Sequence, residues 1–161
     1  MSSFLGSLGP APLRRYELFI SHAWDYKGDY EGVVNLLNTH PLFLWNNLSV
    51  PKDEPLSLLR LLPKSYRFLV RQLDDRIPRA DCVLVLAGMY VAHRGWIQSE
   101  IEAAKDFHKP IVAIEPRGGE RFPEAVMRAA DERVGWNGSS IIEAIRRCAG
   151  ARVDRILPPL R

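Results

Sequence analysis

Short apolar runs alternate along the chain with segments whose apolar residues recur at helical spacing. The runs predict five strands, at residues 16–20, 43–50, 82–87, 111–114 and 134–136. The first run ends in Leu-Phe-Ile, which suits a strand buried on both faces of a parallel sheet. Every crossover between runs is long enough to hold a helix. The pattern therefore predicts an α/β sandwich, flavodoxin-like in outline, with a five-stranded, mainly parallel central sheet and helices on both faces.

The segment 81–116 shows this organisation most clearly, because it reads strand, loop, helix, strand. Its two apolar runs are predicted to be adjacent parallel strands joined by a right-handed crossover. A segment rich in proline and leucine, 51–66, predicts a long loop. The final helix is predicted to start from an N-cap at Ser139 or Ser140 and to end near Gly150.

These boundaries predict a flexible leader at 1–14, one folded domain at 15–150 and a C-terminal tail at 151–161. The composition is that of an ordinary globular protein, with 47% hydrophobic residues, 25% charged residues and a net charge of +3. There is no long run of like charges, no bilayer-length apolar stretch and no secretory signal pattern. We therefore expect no nucleic acid and no membrane among the partners, and we predict a cytoplasmic protein.

Cys82 and Cys148 lack the spacing of a metal site, and we expect neither a metal nor a bound cofactor. Glu100 is the candidate reacting group. It lies one helical turn after Trp96, on the helix after the central strand, and ligands of open parallel sheets bind beyond the carboxyl ends of strands. The other interpretation is a solvated helix carboxylate. On either interpretation Glu100 is expected to be exposed, so that its substitution changes stability little.

Two motifs together resemble Toll/interleukin-receptor (TIR) domains. Residues 16–25, Tyr-Glu-Leu-Phe-Ile-Ser-His-Ala-Trp-Asp, resemble the first strand and loop of those domains. Residues 96–100, Trp-Ile-Gln-Ser-Glu, resemble their Trp-three residues-Glu pattern. Over roughly residues 15–149 the chain is most similar to the small bacterial TIR-like proteins of Thoeris antiphage defence systems. The resemblance implies cleavage of the nicotinamide–ribose bond of NAD and release of an ADP-ribose-derived signal, which is linear, cyclic or conjugated.

The resemblance also implies roles for particular residues. Glu100 is the implied catalytic acid, and Phe19, Ser21, His22 and Trp96 are the implied substrate-binding residues. For Trp96, an indole that wedges the helix against the cleft floor is an open alternative. NAD enters as a substrate rather than as a cofactor.

The implied partners are other TIR domains, through self-association on activation, an effector protein that receives the small-molecule signal, and a phage component that acts as trigger. Because related domains often need assembly to complete the pocket, we expect weak or no NAD turnover by the isolated protein. In this chain the segment 51–66 replaces the usual loop after the second strand of TIR domains, which leaves contacts through that loop open. A non-catalytic TIR interaction module is the alternative function.

Overall fold

A computed structural model describes residues 13–21, 27–49, 75–90 and 94–156. The strands of the described part are β1 (Arg15–Ser21), β2 (Leu44–Asn47), β3 (Cys82–Leu86), β4 (Ile111–Ile114) and β5 (Glu132–Val134). The helices are α1 (Lys27–Asn38), α2 (Arg94–Asp106), α3 (Glu124–Ala129) and α4 (Gly138–Ile156). Residues 1–12 of the predicted leader, His22, the loop at 51–66 and residues 157–161 lie outside the described part.

The strands form one sheet in the order β2-β1-β3-β4-β5, and each neighbouring pair is parallel. Helix α1 packs against α4, whereas α2 packs on β3 and α3 packs on β4. Because parallel crossovers are right-handed almost without exception, α1 and α4 are expected on one face of the sheet and α2 and α3 on the other. The predicted α/β fold with a five-stranded parallel sheet is confirmed.

The apolar sequences of β3 and β4 match their buried positions inside the sheet. All residues of β3 and β4 are buried, as their unbroken apolar sequences require when helices cover both faces of the sheet. The two strands pair in parallel with Val83 opposite Ile111 and Leu86 opposite Ile114. This confirms the prediction that the two apolar runs of segment 81–116 are adjacent parallel strands.

Two aspartates, each placed directly before a strand, fix the amino edge of the sheet. Asp81 precedes β3 and accepts a hydrogen bond from Glu17 N at 2.9 Å, while its second carboxylate oxygen pairs with Arg14 at 3.0 Å. Asp131 precedes β5 and accepts from Ile111 N at 2.8 Å. These side chains satisfy backbone donors at the start of the ladders, and so they help to set the strand register that aligns the opposite, carboxyl edge.

The last strand lies two residues earlier than predicted, at Glu132–Val134 instead of 134–136. Trp136 has already left the sheet, and its indole donates to the carbonyl of Glu115 at 2.6 Å. Trp136 therefore contacts the end of β4 and is not part of a strand. The second strand is also shorter than predicted, because it ends at Asn47 and not at residue 50.

The predicted bounds of the last helix are wrong at both ends. Asn137, and not Ser139 or Ser140, is the N-cap, since its side-chain oxygen accepts from Ser140 N at 3.0 Å. The helix also continues through Gly150 to Ile156.

Candidate active site

The sheet order places a topological switch point at the carboxyl ends of β1 and β3. The chain leaves β1 towards β2 on one side, whereas β3, β4 and β5 extend on the other side. In open parallel sheets such a switch point is where ligands bind. Ser21 is the last residue of β1 and lies opposite Val85 of β3, so its side chain belongs to this edge.

Glu100 reaches the same edge from α2. The buried residues of α2 are Ile97, Glu100, Ile101 and Ala104, which is the spacing of a core-facing helical stripe. Glu100 is therefore an acid in an otherwise apolar stripe, and only 2% of it is exposed. The expectation of an exposed carboxylate is wrong, because the helix turns this position towards the sheet rather than towards solvent.

Two neutral donors contact the Glu100 carboxyl. The fully buried hydroxyl of Ser21 donates to its Oε2. The indole of Trp96, one helical turn earlier, also forms a hydrogen bond with the side chain of Glu100. Within the described residues no cationic side chain contacts this acid.

Burial dominates the ionisation of the site. Removal from water disfavours the charged form and raises the pKa of Glu100 to about 8, although the hydrogen bonds from Ser21 and Trp96 oppose this shift. At neutral pH the acid is thus mostly protonated in the free protein. A pKa near neutrality on a buried acid at a sheet switch point is a frequent property of catalytic groups.

The end of β2 supports this edge through polar contacts that sequence reasoning missed. The buried hydroxyl of Ser49 accepts from Ile20 N at 2.9 Å, directly beside Ser21. Arg76 donates to the carbonyl of Ser49 at 3.1 Å, and Asn47 Oδ1 accepts from Ser49 N at 2.9 Å. The sequence signal was weak, because short polar residues after a strand are common in loops without any such role.

A second polar cluster lies where α1 meets the loops after β4 and β5. Arg117 pairs with Asp29 at 3.2 Å and stacks over the ring of Trp136 at 3.9 Å. A Cβ atom at position 32 would overlap the Arg117 guanidinium, so that Gly32 leaves room for this arrangement. The cluster links α1 to the loops after β4 and β5 at the carboxyl edge of the sheet. Its cation, Arg117, is already paired with the carboxylate of Asp29.

A groove of about 600 Å³ lies at the opposite, amino edge of β4 and β5. Two of its charged residues pair with each other, since Arg147 makes two hydrogen bonds to Glu132 at 2.6 and 2.9 Å. Burial and the nearby Glu132 carboxylate raise the pKa of the Cys148 thiol to about 12, which makes it a poor nucleophile. Cys148 is therefore not an activated nucleophile in this groove, and the candidate reacting acid, Glu100, lies at the other edge of the sheet.

The structure brings together three of the residues that the sequence predicts for the site. Ser21 and Trp96 each contact Glu100. Phe19 lies two residues before Ser21 on the same side of β1 and is fully buried in the core. His22 lies outside the described residues. The substrate contacts of these residues stay predictions.

A family model covers the segment that carries this arrangement. The model for the TIR-like domain of the Thoeris protein ThsB matches residues 19–121, which include the end of β1 and all of α2. The chain belongs to this family. It is a TIR-like protein of the Thoeris ThsB type, in agreement with the family that the motifs at 16–25 and 96–100 resemble.

Among solved structures, a 3-dehydroquinate dehydratase-like protein from Bifidobacterium longum is similar to the ThsB-type chain, with a TM-score of 0.42 and 11% sequence identity. The alignment covers 87% of this chain and 98% of that one. A likeness of this degree carries no argument about activity or substrate. No curated protein sequence matches the chain. None of the helices in the described ranges combines the length and the apolar character needed to cross a membrane.

Proposed function

We propose that this ThsB-type protein cleaves the nicotinamide–ribose bond of NAD and releases an ADP-ribose-derived signal in antiphage defence. One observation carries the proposal: Glu100 is buried at the sheet switch point, between two neutral donors and without a cationic partner in the described part of the chain. A buried carboxylate needs a counter-charge, and the oxidised nicotinamide ring with its ribose supplies one.

The chemistry requires little more than this carboxylate. The bond between C1′ of the ribose and the nicotinamide nitrogen breaks, and its electron pair returns to the ring, which leaves as a neutral molecule. Positive charge then develops on the ribose, as in other glycosidic cleavages. An ionised Glu100 stabilises that charge and accepts a hydrogen bond from a ribose hydroxyl. Water, or a nucleophile within the substrate, attacks C1′ and loses its proton, which gives the linear or the cyclic product.

Substrate binding and ionisation are coupled in this proposal. A cationic ring beside Glu100 favours the carboxylate, so that the pKa of the acid falls when NAD binds. Because only 2% of Glu100 is exposed, the ribose reaches it only after the residues that cover it move. We therefore keep the expectation that the isolated protein turns NAD over weakly, and we propose that self-association opens the site.

Release of nicotinamide from NAD, measured chromatographically at several protein concentrations and between pH 6 and 9, tests the proposal. Glu100→Gln should lower kcat by about 10²–10³, which is the usual cost of one preorganised electrostatic group. Glu102→Gln removes an exposed acid from the same helix and should leave activity unchanged. For the wild type, kcat/KM should rise with pH through about 8, since it reports the free protein, in which burial raises the pKa of Glu100 to about 8.

Reduced NAD has an uncharged nicotinamide ring and should be neither cleaved nor inhibitory at matched concentration. Full activity of the Glu100→Gln variant would end the assignment of this acid to catalysis. Equal cleavage of oxidised and reduced NAD would contradict the counter-charge argument.

The proposed partners follow from the product and from the family. The small molecule would act on a signal-receiving effector protein of the same defence system, and a phage component would act as the trigger. Addition of phage-infected cell extract to the protein should increase nicotinamide release if this is correct. The segment 51–66, whose contacts the sequence leaves open, lies outside the described residues.

A further inference from the structure

Two hydrogen-bond donors from separate elements converge on one acid. Ser21 ends β1 and donates to Oε2 of Glu100, and Trp96 contacts the same side chain from one turn earlier on α2. Helical side chains lean towards the amino terminus of their helix, which carries the Glu100 carboxyl back over Trp96. The orientation of the carboxyl is thus fixed both from the strand and from its own helix.

We propose that Ser21 and Trp96 are positioning residues, whose O–H and N–H groups hold the carboxyl of Glu100 in one orientation and favour its ionised form without themselves contacting the substrate. This inference rests on the proposed function of Glu100. It assigns both side chains a role different from the substrate contact that the family resemblance implies.

The physical argument starts from the absence of a cation beside Glu100 in the described part of the chain. A buried carboxylate that lacks a cationic partner depends on hydrogen bonds for its stability. The indole N–H of Trp96 is a donor only, so it always favours the form of Glu100 that accepts. The Ser21 hydroxyl is fully buried and donates to Glu100, and once Glu100 ionises this bond becomes stronger than one between neutral groups.

No other ionisable group in the described part of the surrounding elements contributes to the shift at Glu100. The Tyr90 hydroxyl donates to Gln98 at 2.9 Å, and Gln98 donates in turn to Glu102 at 3.0 Å. The Arg94 guanidinium is exposed and lies 6.0 Å from the Tyr90 ring centre. Further ionisable side chains on or beside the elements that contact α2, none of which contributes to the shift at Glu100, are Arg76, Arg79, Cys82, Lys105 and Asp106.

The test is a pH titration of the Glu100 carboxyl in the full chain without substrate, followed by ¹³C NMR of labelled glutamate. Glu100→Gln identifies the signal. Ser21→Ala removes one donor, Ser21→Thr keeps the hydroxyl, and Trp96→Phe keeps an aromatic ring but removes the N–H. Ser49→Ala is the matched control, because it deletes a buried hydroxyl at the same edge that donates nothing to Glu100.

We expect the titration midpoint to rise by about one pH unit in Ser21→Ala and in Trp96→Phe, since a hydrogen bond to a charged group has roughly that value. The Ser21→Thr and Ser49→Ala variants should titrate as the wild type does. In activated enzyme, kcat/KM at pH 7 should fall about tenfold in the first two variants, because it reports the free protein, and should recover at higher pH.

An unchanged midpoint in both Ser21→Ala and Trp96→Phe would overturn the inference, and so would a loss of kcat/KM that is equally large at every pH, which is the signature of a lost substrate contact. The titration decides the inference independently of NAD. If the midpoints move as expected while the wild type never cleaves NAD under any activating condition, the role of the two donors stands and the proposed reaction is wrong.

Discussion

Replacement of Glu100 by glutamine should make the protein more stable, and the gain should grow with pH. Glutamine keeps the size of the side chain and an oxygen that can accept from Ser21, but it cannot ionise. In the wild type, burial holds the pKa of Glu100 at about 8, against an ordinary value of 4.5 in the unfolded chain. Between these two values the unfolded chain has lost a proton that the folded protein still binds, so the stability of the wild type falls as pH rises.

The magnitude follows from the distance between the pH and the ordinary pKa. A pH of 7 lies 2.5 units above the pKa of 4.5 that Glu100 has in the unfolded chain, so the unfolded acid is ionised, while the folded acid is still mostly protonated. At about 1.4 kcal/mol per pH unit, the wild type has lost about 3 kcal/mol relative to its acid limit. The loss levels off above pH 8, where the folded acid ionises as well. For a chain of this size, about 3 kcal/mol corresponds to roughly 6–12 °C in Tm.

Urea denaturation of the wild type and of Glu100→Gln at half-unit steps from pH 5 to pH 9 measures this difference directly. The two proteins should differ little near pH 5 and should separate steadily up to about pH 8. Glu102→Gln, from the exposed face of the same helix, should follow the wild type throughout. The reasoning that Glu100 is a buried and mostly protonated acid would be refuted by either of two results. One is a stability difference that does not depend on pH, and the other is a wild type whose stability rises relative to that of the variant as pH rises.

Two further predictions concern the start of α4 and are measured by the same denaturation assay. Asn137→Ala removes the N-cap bond and should cost about 1 kcal/mol, whereas restoration by Asp should recover most of it. Gly138→Ala should cost roughly 1–3 kcal/mol, because a Cβ there would lie 2.5 Å from His40 Cε1 and 3.0 Å from the Leu36 carbonyl, which the His40 ring itself contacts. Gly95→Ala, where a Cβ meets nothing within 4 Å, should not destabilise, and a loss equal to that of Gly138→Ala would rule out the steric explanation.

The central strands could be predicted from the sequence because their apolar runs are long and fully buried. For β4 the predicted and observed bounds agree, and β3 differs by one residue. The edge strand β5 carries polar residues such as Glu132, and the nearest strongly apolar side chain, Trp136, packs outside the sheet. Apolar runs therefore locate the interior of the sheet better than its edges.

The two ends of α4 were not predicted correctly, because residue types that often cap helices do not by themselves fix where a helix begins or ends. Asn137, Ser139 and Ser140 all belong to the residue types that cap helices, so the residue type alone does not select Asn137. Gly150 resembles a C-cap, but a glycine inside a helix costs only about 1 kcal/mol. Tertiary packing of a 19-residue helix outweighs that cost, so the helix continues to Ile156.

At the site, the rule that crevices lie at the carboxyl ends of strands correctly placed the end of β1 near α2, and the contact between Ser21 and Glu100 follows from it. The burial of Glu100 had a signal that the sequence analysis did not use, since positions 97, 100, 101 and 104 have the spacing of one helical face. The ionisation of Glu100 had no such signal. It depends on how completely the fold excludes water and on which donors arrive from distant segments, and neither is a local property of the sequence.

The cost of Glu100 bears on the choice between an enzyme and a non-catalytic interaction module. A module that only binds other TIR domains through its surface gains nothing from an acid that is 2% exposed and lacks a cationic partner in the described part of the chain. A glutamine at this position would keep the shape and the Ser21 bond without the ionisation cost. A site that must stabilise positive charge on a substrate requires the acid, and it tolerates the loss of stability as other functional sites do. The pH-dependent gain predicted for Glu100→Gln, together with its loss of NAD cleavage, would therefore identify Glu100 as a residue present for chemistry, whereas a loss of stability at every pH would identify it as a structural link between α2 and β1.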